Sequence, residues 1–192
     1  MGKRKEMTTM GLVFSAMMVA LVVVSNFLRI KTAGSALHVA NAVCLLAGFL
    51  FGGVQGGLIA GLGSALYDLT NPDYMAGAWI TFLTKGAMAL VCGLMAHNGL
   101  MRAKPRHKLV MSAVLGAITY IFLYMVKSYI ELRLVSGIHG SISWGYLITE
   151  KLVPSSINGL FAVIVAPLLY LALMPSLKKA GLAANLPVSP LL

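Results

Sequence analysis

The stretch LHVANAVCLLAGFLFGGVQGGLIAGLGSALYDL, residues 37–69, decides the fold of this chain. It is almost free of charge and contains seven glycines, several of them four residues apart, such as Gly48, Gly52 and Gly56. In water it would form a poor helix, because each interior glycine costs about 1 kcal/mol relative to alanine. In a bilayer the segment must be helical to satisfy its own backbone hydrogen bonds, and small residues four apart let two helices pack closely. We therefore interpret the stretch as membrane-embedded helix.

The composition of the whole chain indicates an integral membrane protein of the all-α class. Of its 192 residues, 59% are hydrophobic and only 10% are charged, and the mean hydropathy is +0.88. A soluble domain carries about 25% charged residues. The net charge of +10 comes from basic residues that flank apolar runs, which favours membrane orientation and anionic-lipid contact over nucleic-acid binding. We expect one membrane domain over residues 1–176 and a disordered cytoplasmic tail over residues 177–192.

Charge counting predicts the topology. Besides the opening stretch, apolar runs predict membrane helices at residues 8–28, 78–96, 109–130 and 154–174, joined by polar loops at 29–37 and 131–153. If residues 37–69 cross twice, with a hinge at 52–56, all three basic clusters (residues 3–5, 102–108 and 178–179) lie in the cytoplasm, as the positive-inside rule requires. A single crossing would place the middle cluster outside. The sequence therefore predicts a six-helix bundle with both termini cytoplasmic, in which each half of the hairpin is ~15 residues and ~23 Å long.

Lys85 is an ionisable residue within a predicted membrane helix. Such groups are costly in lipid and usually face the bundle interior or a cavity. Two interpretations remain open: an ion pair with Asp68 that joins two helices, or an ammonium group that contacts a substrate.

Four residues of the predicted fifth membrane helix share one face. Tyr120, Tyr124, Lys127 and Glu131 are spaced four, three and four residues apart, which brings them to one side of a helix. Two tyrosine rings beside a cation and an anion suit a small ring-bearing ligand. The alternative is that Lys127 and Glu131 form an ordinary i,i+4 pair at the membrane interface.

Other polar residues are predicted near the same outer end of the bundle. His38 and Asn41 begin the second helix, Asn158 lies one turn into the sixth, and Trp79 follows a turn-rich loop. The predicted inner half is apolar, which favours an outward-opening pocket over a through-channel. Trp79 and Trp144 are further candidates for stacking on a ligand ring.

The sequence lacks the common motifs for ATP hydrolysis and for hydrolytic catalysis. It contains no P-loop, no H-E-x-x-H and no G-x-S-x-G, so we expect neither ATP hydrolysis nor another enzyme activity, and no metal or cofactor. The alternatives to a substrate-binding subunit are a stand-alone channel or facilitator and, less favoured, a small intramembrane enzyme.

The residues that carry these patterns resemble a known family. The run from His38 to residue 69, the pair Lys85-Gly86, and Asn158 followed by PLLY at 167–170 are similar to the substrate-binding S components of energy-coupling factor (ECF) vitamin transporters. The likeness covers roughly residues 8–174 and is to the branch with riboflavin-type and hydroxymethylpyrimidine-type members. Asn41 departs from the pattern, because many relatives have Asp there.

The resemblance implies a function, a location and partners. It implies a subunit of the cytoplasmic membrane with a high-affinity pocket near the outer face, gated by the loop after the first helix. It also implies docking, through the small residues Ala16 and Ala20, on a transmembrane coupling subunit that works with two ABC ATPases, and toppling of the whole subunit to deliver its ligand. Pyridoxine or hydroxymethylpyrimidine is the preferred ligand, with riboflavin and pantothenate open.

Overall fold

Helices make up most of the computed structural model, which describes residues 9–32, 35–97, 104–136 and 144–191. Six helices are long and two are short in the described part of the chain, so it contains more helices than the six membrane helices predicted. In chain order they are α1 (Thr9–Phe27), α2 (Val39–Phe51), α3 (Gly53–Leu69), α4 (Pro72–Met75), α5 (Ala78–His97), α6 (Pro105–Ser136), α7 (Trp144–Tyr146) and α8 (Val153–Lys179).

A short β-hairpin follows α1, where we predicted a polar loop. Strands β1 (Arg29–Thr32) and β2 (Ser35–His38) pair antiparallel, with Arg29 opposite His38 and Thr32 opposite Ser35. Strands of four residues are too short to show a reliable alternating pattern in the sequence, which is why the prediction missed them. The pairing satisfies backbone groups where the chain leaves α1 and returns to α2.

The opening stretch forms two helices that fold back on each other. Helices α2 and α3 have 13 and 17 residues and meet at Gly52, whose φ of 78° lies in the left-handed region that favours glycine. A Cβ atom on Gly56 would lie 2.7 Å from the Ala47 carbonyl oxygen, so α3 contacts the backbone of α2 directly. The predicted hinge therefore begins at the correct residue.

Helix α5 packs against this hairpin at backbone distance. A Cβ atom on Gly93 would lie 2.3 Å from the Gly52 carbonyl carbon, and one on Gly48 would lie 2.6 Å from the Ala89 carbonyl oxygen. Larger residues at these positions would push α5 away from the hairpin. The glycines thus act as the sequence pattern suggested, by allowing close helix packing.

Four helical stretches in the described ranges are long and apolar enough to cross a membrane. They are α1, α5, the part of α6 over Pro105–Leu134, and the continuous helical run Trp144–Lys179. Helices α2 and α3 are shorter; α2 is almost entirely buried, whereas α3 keeps an exposed apolar face with Leu58, Leu62 and Leu66. The fold is therefore that of a membrane-integral helical bundle.

The predicted outer loop at 131–153 is largely helical. Helix α6 extends to Ser136, and the chain is helical again from Trp144 through α7 and a π-helical segment, Leu147–Leu152, into α8. The predicted helices stopped at residue 130 and began again at residue 154, because polar residues lie between. A helix can continue past the apolar part of a membrane when its backbone hydrogen bonds remain satisfied. Residues 137–143, with His139, lie outside the described part.

The C-terminal segment packs against the bundle, contrary to the predicted disorder. Helix α8 runs through Pro175 to Lys179, and a short 3₁₀-helix, Leu182–Asn185, follows. Leu186 is buried, and the Leu191 N–H group donates a hydrogen bond of 2.8 Å to the Tyr170 hydroxyl. Apolar residues along this tail, such as Leu186, anchor it to the bundle.

Candidate ligand-binding site

A cavity of about 440 Å³ opens at one end of the bundle, between the ends of α1, α3, α5 and α6. Its volume lies within the range of about 300–1,000 Å³ that is typical of small-molecule sites. The residues that line it are Asn26, His38, Tyr67, Asp68, Asp73, Tyr74, Ala76, Gly77, Thr81, Lys85, Tyr120, Tyr124, Lys127 and Glu131.

Lys85 lies at the floor of this cavity and is buried. Its ammonium group donates a hydrogen bond to Asn41 Oδ1, and its Nζ atom lies 4.6 Å from the centre of the Tyr120 ring. Within the described ranges it forms no ion pair with Asp68, although both side chains line the cavity. Of the two interpretations that the sequence left open, the ion pair with Asp68 is not formed, and contact of the ammonium group with a ligand stays a prediction.

One wall of the cavity is the predicted polar face of α6. The Tyr120 and Tyr124 rings stack with centroids 5.8 Å apart and an interplanar angle of 25°. Lys127 Nζ lies 3.3 Å from Glu131 Oε1 and 6.0 Å from the centre of the Tyr124 ring. Lys127 and Glu131 therefore form the i,i+4 pair of the alternative interpretation and also line the cavity.

A smaller cavity of about 130 Å³ adjoins the first and shares His38, Tyr120 and Tyr124 with it. Its remaining lining comes from the start of α8 and the π-helical segment before it: Lys151, Pro154, Ser155 and Asn158. The Asn158 side chain accepts a hydrogen bond of 2.6 Å from the His38 N–H group and donates one of 3.0 Å to the Pro154 carbonyl oxygen.

The charged groups around the larger cavity nearly balance. Asp68, Asp73 and Glu131 contribute carboxylates, and Lys85 and Lys127 contribute ammonium groups. A stacked pair of rings above a buried ammonium group can hold a flat, electron-rich ring. Because the surrounding charges nearly cancel, the arrangement suits a neutral or zwitterionic ligand better than a strongly anionic one.

The predicted ligand-binding residues lie together, except for the two tryptophans. Lys85, Tyr120, Tyr124, Lys127, Glu131 and His38 line the larger cavity, Asn158 lines the smaller one, and Asn41 is buried behind Lys85. Trp79 does not line either cavity, and its residue is 65% exposed. It lies six positions before Lys85, and at about 100° per residue this places it on a different side of α5.

Trp144 also lies outside both cavities. Its ring centre is 6.2 Å from that of Tyr129, and the residue is largely exposed. The ring therefore packs on an outward-facing tyrosine of α6 instead of on a ligand in the cavity.

Several lining residues were missed by sequence reasoning. Asn26, in the last turn of α1, and Tyr67, beside Asp68, sit at apolar helix ends, and their polarity next to a predicted loop was the available signal. Asp73 and Tyr74 belong to α4, which was treated as a turn. Lys151 reaches the smaller cavity because the π-helical segment changes the side-chain phase before α8, and this has no simple sequence signature.

On the side of Lys85 away from the cavity, buried side chains fill the space between the helices. Leu45, Met88, Cys92 and Phe49 are buried there, and the Phe49 and Tyr170 rings meet edge to face with centroids 5.7 Å apart. Lys104, just before α6, and Lys179, at the end of α8, lie at the ends of these helices opposite the cavity-lining residues. Among the described residues, the cavity is therefore closed on the far side of Lys85 by packed side chains.

Ala16 and Ala20 lie on the outward side of α1. Both are exposed, as is Met17 between them, whereas Ser15 accepts a hydrogen bond of 2.7 Å from the Gln55 side chain of α3. One side of α1 thus packs on the bundle, and the side with the two alanines is left open.

A membrane-integral helical bundle with a polar, ring-lined pocket at one end has the features of a solute-capturing membrane subunit. The sequence profile of the family described as "ECF-type riboflavin transporter, S component" matches residues 6–175, and the chain belongs to this family. The resemblance inferred from the sequence is confirmed. The chain is therefore a substrate-binding component of a transporter and not an enzyme, as predicted.

A solved structure supports the same fold. It is described as "Structure and mechanism of the S component of a bacterial ECF transporter", with a TM-score of 0.64 and 22% sequence identity, and the alignment covers 88% of this chain and 97% of that one. The comparison with curated proteins found no match. Neither similarity supports the predicted preference for pyridoxine or hydroxymethylpyrimidine as the ligand, because the description of the matching family names riboflavin.

Proposed function

We propose that the chain is the high-affinity substrate-binding subunit of an ECF-type ABC transporter that imports a small, water-soluble vitamin or vitamin precursor with an aromatic ring. The observation that carries the proposal is the Lys85 ammonium group at the cavity floor, held by Asn41 and by the Tyr120 ring. A buried cation whose contacts are neutral gains from a ligand that brings an electron-rich acceptor.

The geometry supports a ligand that stacks on the tyrosines and accepts a hydrogen bond from Lys85. Riboflavin, pyridoxine and hydroxymethylpyrimidine all have a flat ring with acceptor atoms, and all are neutral or zwitterionic near neutral pH. Pantothenate has no aromatic ring and carries a full negative charge, so the pocket fits it less well. Riboflavin has the additional support of the family description.

The charge distribution supports an orientation in the cytoplasmic membrane. We propose six crossings, made by α1, α2, α3, α5, α6 and α8, with both termini in the cytoplasm and the cavity facing outward. Helices α2 and α3 would cross as a short, glycine-packed hairpin. The described basic residues at the start of α6 and the end of α8 would then lie inside, as the positive-inside rule requires.

The transporter partners belong to the same proposal. The chain lacks a nucleotide-binding motif, so transport would depend on a transmembrane coupling subunit and two ABC ATPases. The exposed side of α1 around Ala16 and Ala20 is the proposed docking surface, because small residues four apart permit close approach of a partner helix.

Ligand binding to the purified chain tests the proposed function. We expect one of riboflavin, pyridoxine, hydroxymethylpyrimidine and pantothenate to bind with submicromolar affinity in detergent without ATP, and to raise the melting temperature. If none of the four binds or stabilises the protein, the proposal of vitamin capture is wrong, and if pantothenate alone binds, the proposed aromatic ring of the ligand is wrong. The same protein in liposomes should show no flux of the bound compound, whereas flux through the chain alone would favour the facilitator.

A further inference from the structure

Asn41 is the centre of a polar cluster at the floor of the larger cavity. It lies in the first turn of α2, and its Oδ1 atom accepts the hydrogen bond from the Lys85 ammonium group of α5. Its side chain also forms a hydrogen bond with the Tyr120 hydroxyl of α6. The residue is only 1% exposed, so bulk water does not compete for either contact. One amide side chain therefore joins three helices at the floor.

The charge of Lys85 has no carboxylate in contact with it in the described part of the chain. Asp68 acts on it only through space, because it lines the same cavity but forms no ion pair with Lys85. The neighbouring Cys44 is neutral, and its Sγ atom lies 3.7 Å from Ser64 Oγ. A buried ammonium group that contacts only neutral groups is costly, since it has lost most of its hydration.

An amide and a carboxylate at position 41 would give the floor opposite properties. The amide is neutral and can both accept and donate hydrogen bonds, whereas a carboxylate is negative and only accepts them. A carboxylate there would neutralise Lys85 and accept the Tyr120 hydroxyl hydrogen as well. With the amide, Lys85 keeps its full positive charge at the end of the pocket where a ligand ring would meet it.

We infer that Asn41 determines ligand specificity, because it holds Lys85 in place without neutralising it. The floor then selects ligands whose ring edge presents lone-pair acceptors, such as carbonyl oxygens or ring nitrogens, over ligands that present N–H groups there. Asn41 is a positioning residue, since it acts through Lys85 and lies behind the residues that line the cavity. This inference rests on the proposed function, because it concerns the ligand of that pocket.

The variant Asn41→Asp tests the inference, because stability and binding should change in opposite directions. In the ligand-free protein the new carboxylate pairs with Lys85, and the melting temperature in detergent should rise by about 2–4 °C. If the amide is only a structural support, its replacement lowers the melting temperature, and that result would overturn the inference.

The matched control is Asn26→Asp. Asn26 is also buried and lines the same cavity, but its amide donates within its own helix, to the Val22 carbonyl oxygen at 2.8 Å. Its replacement removes that bond and should not raise the melting temperature. An equal rise in Asn26→Asp and Asn41→Asp would show that the effect does not depend on Lys85, and the inference would be wrong.

A double variant assigns the gain in stability to Lys85. Lys85→Met replaces the ammonium group by an apolar side chain of similar length. In that background Asn41→Asp buries a carboxylate without a cation, so the melting temperature should fall below that of Lys85→Met alone. A rise in both backgrounds would contradict the role of Lys85.

Binding is measured by isothermal titration with riboflavin, pyridoxine, hydroxymethylpyrimidine and pantothenate. The vitamin that the wild-type chain binds should bind about 10-fold more weakly to Asn41→Asp, because the ammonium group is then shared with a carboxylate. An unchanged affinity would overturn the inference, even if the melting temperature rises.

A small anion makes the same test in the wild-type protein, which matters if Asn41→Asp does not fold. Formate presents a carboxylate to Lys85 without a ring. We expect sodium formate to raise the melting temperature of the wild type in a saturable manner and to have no such effect on Lys85→Met. The same response in both proteins would show that Lys85 is not an uncompensated charge open to the cavity.

The outcomes separate this inference from the proposed function. If the wild-type chain binds none of the four vitamins, the proposed function fails, while the melting temperatures still decide whether the charge of Lys85 is uncompensated. If the wild-type chain binds a vitamin and Asn41→Asp binds it equally well, the role of Asn41 is wrong and the proposed function stands.

Discussion

Lys85 of α5 donates a hydrogen bond to Asn41 of α2 at the floor of the cavity. The contact joins two helices that also pack at backbone distance further along, where Gly48 meets Ala89. The ammonium group is buried, its other near contact is the Tyr120 ring, and the carboxylate of Asp68 lies in the same cavity without pairing to it. Lys85 is thus held in place by neutral groups while its charge faces the pocket.

Replacement of Lys85 should weaken ligand binding strongly and leave the fold intact. Lys85→Ala removes a charge-assisted hydrogen bond to the ligand, which is worth about 1.5–3 kcal/mol, so the affinity should fall by about 10-fold to 100-fold. Isothermal titration with the bound vitamin measures the affinity, and size-exclusion chromatography checks the fold.

The control for Lys85 is Lys127, the partly exposed ammonium group near the mouth of the cavity, which pairs with Glu131. Lys127→Ala should change the affinity by less than Lys85→Ala does, since exposed pairs contribute about 0–1 kcal/mol. If Lys85→Ala and Asp68→Ala both prevent stable expression, the lysine is a structural element and its proposed ligand contact is wrong.

The stacked tyrosines should determine the preference for ring-bearing ligands. Tyr124→Leu removes one ring of the stack, and the affinity should fall by about 3-fold to 10-fold, in line with the 0.5–1.5 kcal/mol of an aromatic pair. Tyr124→Phe keeps the ring and should bind nearly as the wild type does. Tyr129→Leu is the matched control, because Tyr129 lies one turn further on, packs on Trp144 and does not line the cavity. An equal loss in Tyr129→Leu would show that the effect is not local to the pocket.

The sequence was informative wherever a feature depends on residue type and regular spacing. Spacing of four, three and four placed Tyr120, Tyr124, Lys127 and Glu131 on one face, and the cost of a charge in lipid singled out Lys85. The glycine ladder predicted a helical hairpin hinged near Gly52, because glycine is both the residue for a left-handed turn and the smallest contact between helices.

What the sequence could not predict depends on contacts between distant segments. The rotation of α5 turns Trp79 away from the cavity, and the π-helical segment before α8 turns Lys151 toward it. Asn158 was correctly placed near the pocket, but its engagement by the His38 backbone, 120 residues away, has no local pattern. The same holds for the C-terminal segment, whose anchoring by Leu186 is visible only once the surface it covers is known.

Close packing of α5 on the α2–α3 hairpin should make Gly93 intolerant of any side chain. The Cβ atom of Gly93→Ala would lie 2.3 Å from the Gly52 carbonyl carbon and 2.5 Å from its oxygen, so the backbones must separate. We expect a destabilisation of about 1–3 kcal/mol, seen as a lower melting temperature in detergent. Gly77→Ala is the control, because its Cβ would meet nothing closer than the Tyr74 carbonyl oxygen at 3.5 Å. Equal melting temperatures for the two variants would contradict the proposed packing role.

The exposed alanines of α1 should affect assembly without affecting capture. Ala16→Leu combined with Ala20→Leu adds bulk to the open side of the helix, and the variant should no longer co-purify with a co-expressed coupling subunit and its ATPases. Vitamin binding by the isolated chain should stay within about twofold of wild type, because neither alanine lines a cavity. Leu12→Ala, on the same helix, serves as a substitution that adds no bulk. Normal co-purification of the double variant would place the docking surface elsewhere.

The C-terminal segment should stabilise the end of the bundle opposite the pocket. Tyr170→Phe removes only the hydroxyl that accepts the bond from the Leu191 N–H group, and it should lower stability by about 1 kcal/mol. Leu186→Ala empties a buried site and should cost about 2–5 kcal/mol. Thermal unfolding in detergent measures both effects, and Val153→Ala, at an exposed residue at the start of α8, is the comparison. Because the segment lies far from Lys85, vitamin affinity below the melting temperature should not change. A change in affinity together with stability would indicate that the segment communicates with the pocket, and unchanged stability in Leu186→Ala would show that the segment does not anchor the bundle.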